Sequence, residues 1–170
     1  MKKSLIALIM LAGCGSSEQP SNNFSAAAGG VGAENRIVAD LGLTGLYESG
    51  SVKQPNQLCI VDTDKGPAQF GLVVWGGNLH NCSGAGEAVR DGQRLRLTMA
   101  GDQACEIEAT MKHGAITLSD TIPDGCSYYC GARARMDGAT FMKKGGTVED
   151  AMKAKDLVGE PLCAGLSENG

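Results

Sequence analysis

Large aromatic side chains are scarce in this sequence, and no apolar run is long enough to cross a membrane as a helix. Only seven of the 170 residues are Phe, Tyr or Trp, so a hydrophobic core would be short of bulky side chains. The apolar run at residues 5–12 has eight residues, whereas a membrane-spanning helix needs about 20. The composition therefore excludes a polytopic membrane protein.

Charge and catalytic signatures are also limited. Charged residues make up 20% of the chain and the net charge is −4, which excludes a coiled coil and a nucleic-acid binder with a strong basic patch. The two histidines, His80 and His113, lie in Gly-containing segments, and the motifs GxSxG and SxxK are absent. We therefore predict a protein that is not an enzyme and that binds no nucleic acid.

The amino-terminal segment has the layout of a secretory signal peptide. Residues 1–3 carry two lysines, the short apolar run follows, and the segment ends in Leu11-Ala12-Gly13-Cys14. This ending resembles the lipobox of bacterial lipoproteins. The resemblance implies that Cys14 receives a diacylglycerol, that the chain is cut before Cys14, and that the new amino group is acylated, for example with palmitate.

The residue after the cysteine bears on localisation. Gly15, and not Asp, follows Cys14, which by the same resemblance favours the outer membrane, with the protein facing the periplasm or the cell surface. Two alternatives stay open: a signal peptide cut elsewhere, with Cys14 incidental, and a permanent amino-terminal helix. Removal of residues 1–13, which hold two lysines and no acid, changes the net charge from −4 to −6.

Composition divides the remaining chain into a tether, a domain and a tail. Residues 14–40 are rich in Gly, Ser, Ala and Asn, and such a flexible linker has an rms span of about 25–30 Å. We assign residues 41–163 to one folded domain, and residues 164–170 to a short tail. The domain is thus expected to stand clear of the lipid headgroups.

Two segments in the middle of the domain alternate strictly between apolar and polar residues. Residues 94–99 place arginines and a threonine on the polar face, and residues 105–112 place glutamates on theirs. Folded as a hairpin, the segments bring Arg94 and Arg96 against Glu106 and Glu108. Such cross-strand pairs contribute at most about 1 kcal/mol each, so they mainly indicate the register.

Turn pairs continue the pattern in both directions. Asp91-Gly92 is a two-residue hairpin signal that would place Glu87 opposite Arg96. The turn at residues 113–114 would pair residue 111 with residue 116. Regular spacing of turns predicts seven or eight short strands in an antiparallel meander, forming a small β-barrel or a sandwich.

One helix is predicted near the end of the domain. Thr147 and Asp150 have the spacing of a capping box, and residues 148–157 follow as the helix. Gly159 and Pro161 would end it.

Six cysteines remain once Cys14 is assigned to lipid, and an exported protein is exposed to an oxidising compartment. We expect three disulfides among Cys59, Cys82, Cys105, Cys126, Cys130 and Cys163. Fifteen connectivities are possible, and the pairing we favour is Cys59–Cys82, Cys105–Cys126 and Cys130–Cys163. The spacings lack the CxxC pairs of zinc and thioredoxin-type sites, so no metal is expected, and no cofactor beyond the covalent lipid.

Four aromatic residues are candidates for a binding face. Tyr47, Trp75, Tyr128 and Tyr129 lie near Gly-rich segments, where aromatic side chains can rim an interface. The alternative is that Trp75 caps the core and that the tyrosines cover one end of the barrel.

The body of the chain resembles small cysteine-rich envelope lipoproteins of bacteria. The segments that carry the likeness are GLYE, CSGAGEA, CSYYCGARA and DLVGEPLC, and the resemblance implies no particular activity. A weaker similarity links the chain to lysozyme-inhibitor lipoproteins, which are anchored, disulfide-bonded β-barrels with a Ser-Gly-x-x-Tyr type motif. Here Ser83-Gly84 has no Tyr after it.

These observations lead to one main functional expectation and two alternatives. The main expectation is a lipid-anchored envelope lipoprotein whose non-catalytic β domain has a binding or structural role. Its partners would be membrane lipid, through the anchor, and an envelope protein or glycan. The alternatives are an inhibitor of a cell-wall hydrolase, and an enzyme of unrecognised type with Trp75 or His80 in a polar cleft.

Overall fold

The computed structural model describes residues 42–101 and 104–164. The predicted signal peptide, Cys14, the tether at residues 14–40 and the tail from residue 165 onward lie outside the described residues. The structure therefore concerns the predicted β domain.

Eight antiparallel strands form a closed barrel in which each strand pairs with the next and the last pairs with the first. The strands are β1 Gly45–Ser51, β2 Gln54–Val61, β3 Ala68–Trp75, β4 Asn81–Asp91, β5 Arg94–Met99, β6 Glu106–Lys112, β7 Ala115–Leu118 and β8 Thr140–Gly145. The antiparallel meander is confirmed, and closure of β8 on β1 decides between the two predicted architectures in favour of the barrel.

The two ends of the barrel carry different connections. The tether end, where β1 begins, holds the turns at residues 62–67, 92–93 and 113–114. The loop end, opposite, holds the connections at residues 76–80 and 119–139, and the second of these contains the 3-10 helix Asp124–Tyr129. The chain therefore enters the barrel at one end, and the longest connection between two strands, residues 119–139, lies at the other.

Strand registers follow the polar alternation, with two corrections. Met111 pairs with Ile116, as predicted. The predicted meeting of the arginine and glutamate faces holds for Arg96, which pairs with Glu108, but Arg94 faces Thr110. Arg96 faces Val89 on β4 and not Glu87, so the predicted β4–β5 register is wrong by two residues. The reason is that the two-residue turn is 92–93, with the glycine at its first central position at a φ of 60°, the position that favours glycine in type II′ turns.

The barrel interior is filled by side chains from all eight strands. Its largest fully buried members are Tyr47, Phe70 and Phe141, surrounded by leucine, isoleucine, valine and methionine. An eight-stranded barrel has an interior that side chains can fill, which is how a chain with few aromatic residues completes its core.

Two glycines on the inner face of β4 let neighbouring atoms approach the strand closely near the loop end. A Cβ atom at Gly86 would overlap the carbonyl oxygen of Thr98, and one at Gly84 would lie 2.9 Å from the Met99 sulfur and 3.3 Å from the Tyr129 ring. The glycines of the segment CSGAGEA are therefore places where another backbone or side chain packs directly against the barrel wall.

The predicted helix exists but is much shorter than expected. Helix α1 spans Val148–Ala151, and the capping box between Thr147 and Asp150 is present in both directions. The prediction that the helix continues to residue 157 is wrong. The next turn has 3-10 hydrogen bonds, including Ala154 to Ala151, and the chain then reverses so that the Leu162 amide donates to the Ala154 carbonyl.

That reversal creates a second small core on the outer wall of the barrel. Outward side chains of β1 and β2 meet the carboxyl-terminal segment there; the buried members are Leu46, Cys59, Val61, Ala151, Ala154 and Cys163. Between them, the Gln57 side chain donates to Glu48 (2.7 Å) and accepts from the Lys155 amide (3.0 Å).

All six cysteines of the domain form disulfides, and the pairing partly corrects the prediction. The bonds are Cys59–Cys163, Cys82–Cys130 and Cys105–Cys126. Cys105–Cys126 is confirmed, whereas Cys59–Cys82 and Cys130–Cys163 are wrong. Cys59 points outward to the second core while Cys82 points into the barrel, so the two cannot meet across the wall.

Candidate functional site

Tyr47 does not belong to an exposed binding face. Its side chain is fully buried in the barrel, and its hydroxyl donates to the Leu43 carbonyl at 2.8 Å. Burial raises the pKa of Tyr47 to about 12, with the nearby charge of Asp62 adding to the rise and that of Arg90 opposing it. The prediction that placed Tyr47 with the binding aromatics is therefore wrong, because β1 turns this residue inward.

The other three aromatic candidates lie at the loop end. Trp75 is half-buried at the end of β3, where its amide donates to the Asn56 side chain at 2.8 Å and its strand partner is Asn81. Tyr128 and Tyr129 follow on the 3-10 helix Asp124–Tyr129. Sequence positions far apart are thus brought to the same end of the barrel.

The connection between β3 and β4 is a tight loop held from both sides, which we call the pinned loop (residues 76–80). The Gly76 amide donates to the His80 carbonyl at 2.7 Å, and the Gly77 amide donates to the Arg133 carbonyl at 3.1 Å. Asn78 and Leu79 adopt positive φ angles of 55° and 63°. A left-handed backbone is unfavourable for leucine, so these contacts hold the loop in a conformation that it would not adopt alone.

A disulfide fixes the second wall beside the pinned loop. Cys82 at the start of β4 is bonded to Cys130, and the Gly131 amide donates to the Asn81 carbonyl at 2.8 Å. A Cβ atom at Gly131 would lie 2.8 Å from the His80 ring nitrogen Nδ1, so a larger residue here would require the His80 ring to move.

Between the two walls lies a shallow groove of about 490 Å³. Its lining residues are Leu79, His80, Asn81, Ser83, Tyr128, Tyr129, Cys130 and Gly131. The two tyrosine rings contact edge to face, with centroids 5.2 Å apart. Tyr129 donates its hydroxyl to the Ala100 carbonyl at 3.3 Å, while 66% of Tyr128 is exposed. One ring therefore supports the other, which faces solvent.

The groove offers both apolar and polar contacts. Leu79 is 73% exposed, and within residues 42–101 and 104–164 the side chains of His80, Asn81 and Ser83 form no hydrogen bond to the protein. Tyr, Ser, Asn and Gly are the residues that dominate antibody combining loops, since they combine rigid apolar area with adaptable hydrogen bonding. The groove is chemically suited to recognition.

Sequence reasoning missed several groove residues. Leu79, Asn81 and Ser83 were not candidates, and the only local signal was the glycine pair at residues 76–77. The groove presents His80 without a neighbouring carboxylate among its lining residues. In the described part of the chain, no three His, Cys, Asp or Glu side chains form a group that could hold a metal ion.

Two further depressions lie outside the groove. One of about 520 Å³ runs over the outer faces of β5, β6 and β7 and carries Arg94, Arg96, Glu106 and Glu108. The other, of about 400 Å³, lies under residues 120–137. Neither includes a histidine, and the first holds charges of both signs.

The molecule is therefore a filled, disulfide-bonded antiparallel barrel with a rigid groove at one end. No protein-family model, curated protein or solved structure matches the chain. Among the described residues, no helix is long and apolar enough to cross a membrane.

Proposed function

We propose that this protein is a lipid-anchored lipoprotein of the bacterial envelope whose barrel is a non-catalytic module that binds another protein through the groove. One observation carries the binding half of the proposal. The pinned loop presents an exposed leucine, Leu79, on a left-handed backbone, next to the exposed ring of Tyr128. Strain of this kind persists only where the surrounding structure maintains it, and it concentrates at functional sites.

The energetics favour a protein partner. A rigid loop loses little conformational freedom on binding, whereas each mobile side chain costs about 0.5–1.5 kcal/mol to immobilise. Burying a leucine contributes about 1.5–3 kcal/mol, and tyrosine is enriched among the residues that dominate interface energies. Leu79 and Tyr128 would therefore act as two preorganised anchors.

The anchoring half of the proposal is supported by the sequence and by the position of chain entry. The motif at residues 11–14 has the form of a lipobox, and residues 14–40 have the composition of a linker. The described chain starts at Gly42, at the tether end, while the groove lies at the opposite end. Such an arrangement would present the groove to partners away from the bilayer.

The experiment for the binding half introduces a photocrosslinking amino acid at position 128 in living cells. We expect one discrete protein adduct, which Leu79→Asp reduces at least about tenfold, the factor that corresponds to losing roughly 1.4 kcal/mol. Leu157→Asp is the matched control, because Leu157 is also exposed (47%) but lies on the carboxyl-terminal segment. A glycan adduct, or an adduct insensitive to Leu79→Asp, would refute a protein partner at this groove.

A second candidate function, inhibition of a cell-wall hydrolase, is favoured by the same pinned loop. A rigid loop with an apolar tip can enter an enzyme cleft without losing conformational freedom. Here the assay is lysozyme activity in the presence of excess purified protein. Unchanged activity would exclude lysozyme as the target, whereas inhibition relieved by Leu79→Asp would identify the loop as the inhibitory element.

A further inference from the structure

We infer that the tether end of the barrel rests on a surface of anionic phospholipid headgroups. The inference rests on the proposed lipid anchor, and it concerns the end of the barrel opposite to the groove. Its basis is the distribution of charge around the point where the chain enters the barrel. This distribution replaces the expectation, drawn from the tether alone, that the domain stands clear of the headgroups, because a flexible linker permits contact as well as separation.

Basic side chains are concentrated at the tether end. Of the twelve lysines and arginines in the described ranges, six lie there, with only three of the fourteen acidic residues. The basic residues are Lys65, Arg90, Arg94, Lys112, Lys143 and Lys144, and the acidic ones are Asp62, Asp64 and Asp91. The rest of the described domain is net negative, so the molecule is electrically polarised along the barrel.

The neighbouring helix α1 leaves the excess positive. Its Glu149 and Asp150 add two negative charges near this end, and Lys153, whose ammonium lies 2.6 Å from the Asp150 carboxylate, returns one positive charge. Asp62 accepts hydrogen bonds from the amide and hydroxyl of Thr44 at 3.1 and 2.9 Å. These bonds hold its carboxylate against the barrel.

The basic residues surround the entry of the tether. Lys65, Arg94, Lys112 and Lys144 are exposed and belong to four different turns or strand ends. Lys143 lies among them, and its ammonium donates to the Gly42 carbonyl at 2.8 Å. A chain leading from an acylated Cys14 would therefore reach the barrel inside a ring of positive charge.

The physics of anionic bilayers gives this arrangement an orienting effect. Each lysine or arginine near such a surface adds to the electrostatic attraction between protein and headgroups. This attraction decays over about 8 Å at physiological ionic strength. A lipid chain combined with a basic patch is a recurrent two-signal mode of membrane attachment. The acidic remainder of the chain is repelled by the same surface, so the groove would turn outward.

The test uses the acylated protein purified from membranes and reconstituted in vesicles. One set contains phosphatidylethanolamine and phosphatidylglycerol, and the other only phosphatidylcholine. Lysine accessibility is measured by mass spectrometry after brief treatment with acetic anhydride, an uncharged reagent. We expect Lys112 and Lys144 to react about fivefold more slowly on the anionic vesicles, and Lys53 and Lys155, which lie outside the tether end, to react equally on both.

Charge reversal supplies the matched control. Lys112→Glu with Lys144→Glu should abolish salt-sensitive contact with anionic vesicles, while Lys53→Glu with Lys155→Glu should leave it intact. Equal reactivity of Lys112 and Lys144 on both vesicle types would overturn the inference. The intact mass of the same sample reports acylation independently. If the sample carries no acyl chain, cosedimentation of the unacylated protein with the anionic vesicles still tests the basic end.

Discussion

At the scale of single residues, Tyr47 shows how the barrel interior handles a polar group. Its hydroxyl is buried with one partner, the Leu43 carbonyl, and the Lys143 ammonium lies 5.4 Å from the centre of its ring. The neutral phenol suits this environment and the phenolate does not, which is why the pKa of Tyr47 rises from 10.0 to about 12. Ionisation of this single residue therefore opposes folding.

The consequence is a loss of stability at alkaline pH. The contribution of Tyr47 is fully present below pH 10 and disappears as the pH rises to about 12, because only the unfolded chain ionises readily in that window. The free energy of unfolding should fall by up to about 3 kcal/mol over this range. Urea unfolding monitored by circular dichroism at several pH values measures it.

Tyr47→Phe is the control for this prediction. The variant should lose about 1 kcal/mol at neutral pH with its hydrogen bond but show a weaker alkaline loss. Burial lowers the pKa of Lys143, and that shift makes stability rise with pH just below 10.5, in the opposite sense, in both proteins. Equal alkaline slopes for the two proteins would show that Tyr47 is not the group responsible.

At the scale of elements, the carboxyl-terminal segment depends on the Cys59–Cys163 bond. Helix α1 has only four residues, far fewer than an isolated helix needs. What holds the segment is its packing on Leu46 and Val61 and a disulfide that closes a sequence separation of 104 residues.

Removing that bond should cost more than removing the bond with the shortest separation. The chain-entropy model gives about 4.7 kcal/mol for a loop of about 100 residues and about 3 kcal/mol for a loop near 20. Cys59→Ala with Cys163→Ala should therefore lower the free energy of unfolding more than Cys105→Ala with Cys126→Ala, whose separation is 21. Urea denaturation of both variants decides the order, and the reverse order would contradict this account.

Local patterns predicted the elements better than they predicted the long-range partners. Alternation predicted β5 and β6 and their pairing as a hairpin, because neighbouring strands of a meander are close in sequence. The length of α1 and the partner of Cys59 depend on which face of β2 the carboxyl-terminal segment covers. Cys59 and its partner are 104 positions apart, so no short sequence pattern indicates that they meet.

At the scale of the whole molecule, the order of the strands and a long-range disulfide assemble the groove. Trp75, Tyr128 and Tyr129 were candidates from sequence, but their shared end follows from strand order and from the Cys82–Cys130 bond. The only local signal for Leu79 was the neighbouring glycine pair, because its positive φ is imposed by tertiary contacts such as that of Gly77 with Arg133. A chain with few aromatic residues thus exposes one of its three tyrosines beside a strained leucine, which is why we assign recognition to this end.

Membrane attachment is the whole-molecule property on which the proposed function depends. Burial of acyl chains contributes about 0.8 kcal/mol per methylene, so that one chain binds weakly while two or three bind firmly. The protein should therefore stay with membranes at high salt, and its intact mass should correspond to cleavage before Cys14 plus acyl chains. Reduction should add the mass of six hydrogens, two for each disulfide.

The variant Cys14→Ser distinguishes the contribution of the lipid anchor to membrane binding from that of the basic residues at the tether end. The variant should carry no acyl chain and should leave membranes when the salt concentration is raised, because the remaining attraction is electrostatic and is screened over a few ångströms at 1 M salt. Its urea denaturation midpoint should equal that of the wild type, since the described barrel is formed within residues 42–101 and 104–164. If the wild type itself is washed off by salt and has no added mass, the lipid anchor is refuted, while the disulfide-bonded barrel and its groove are left to stand on their own geometry.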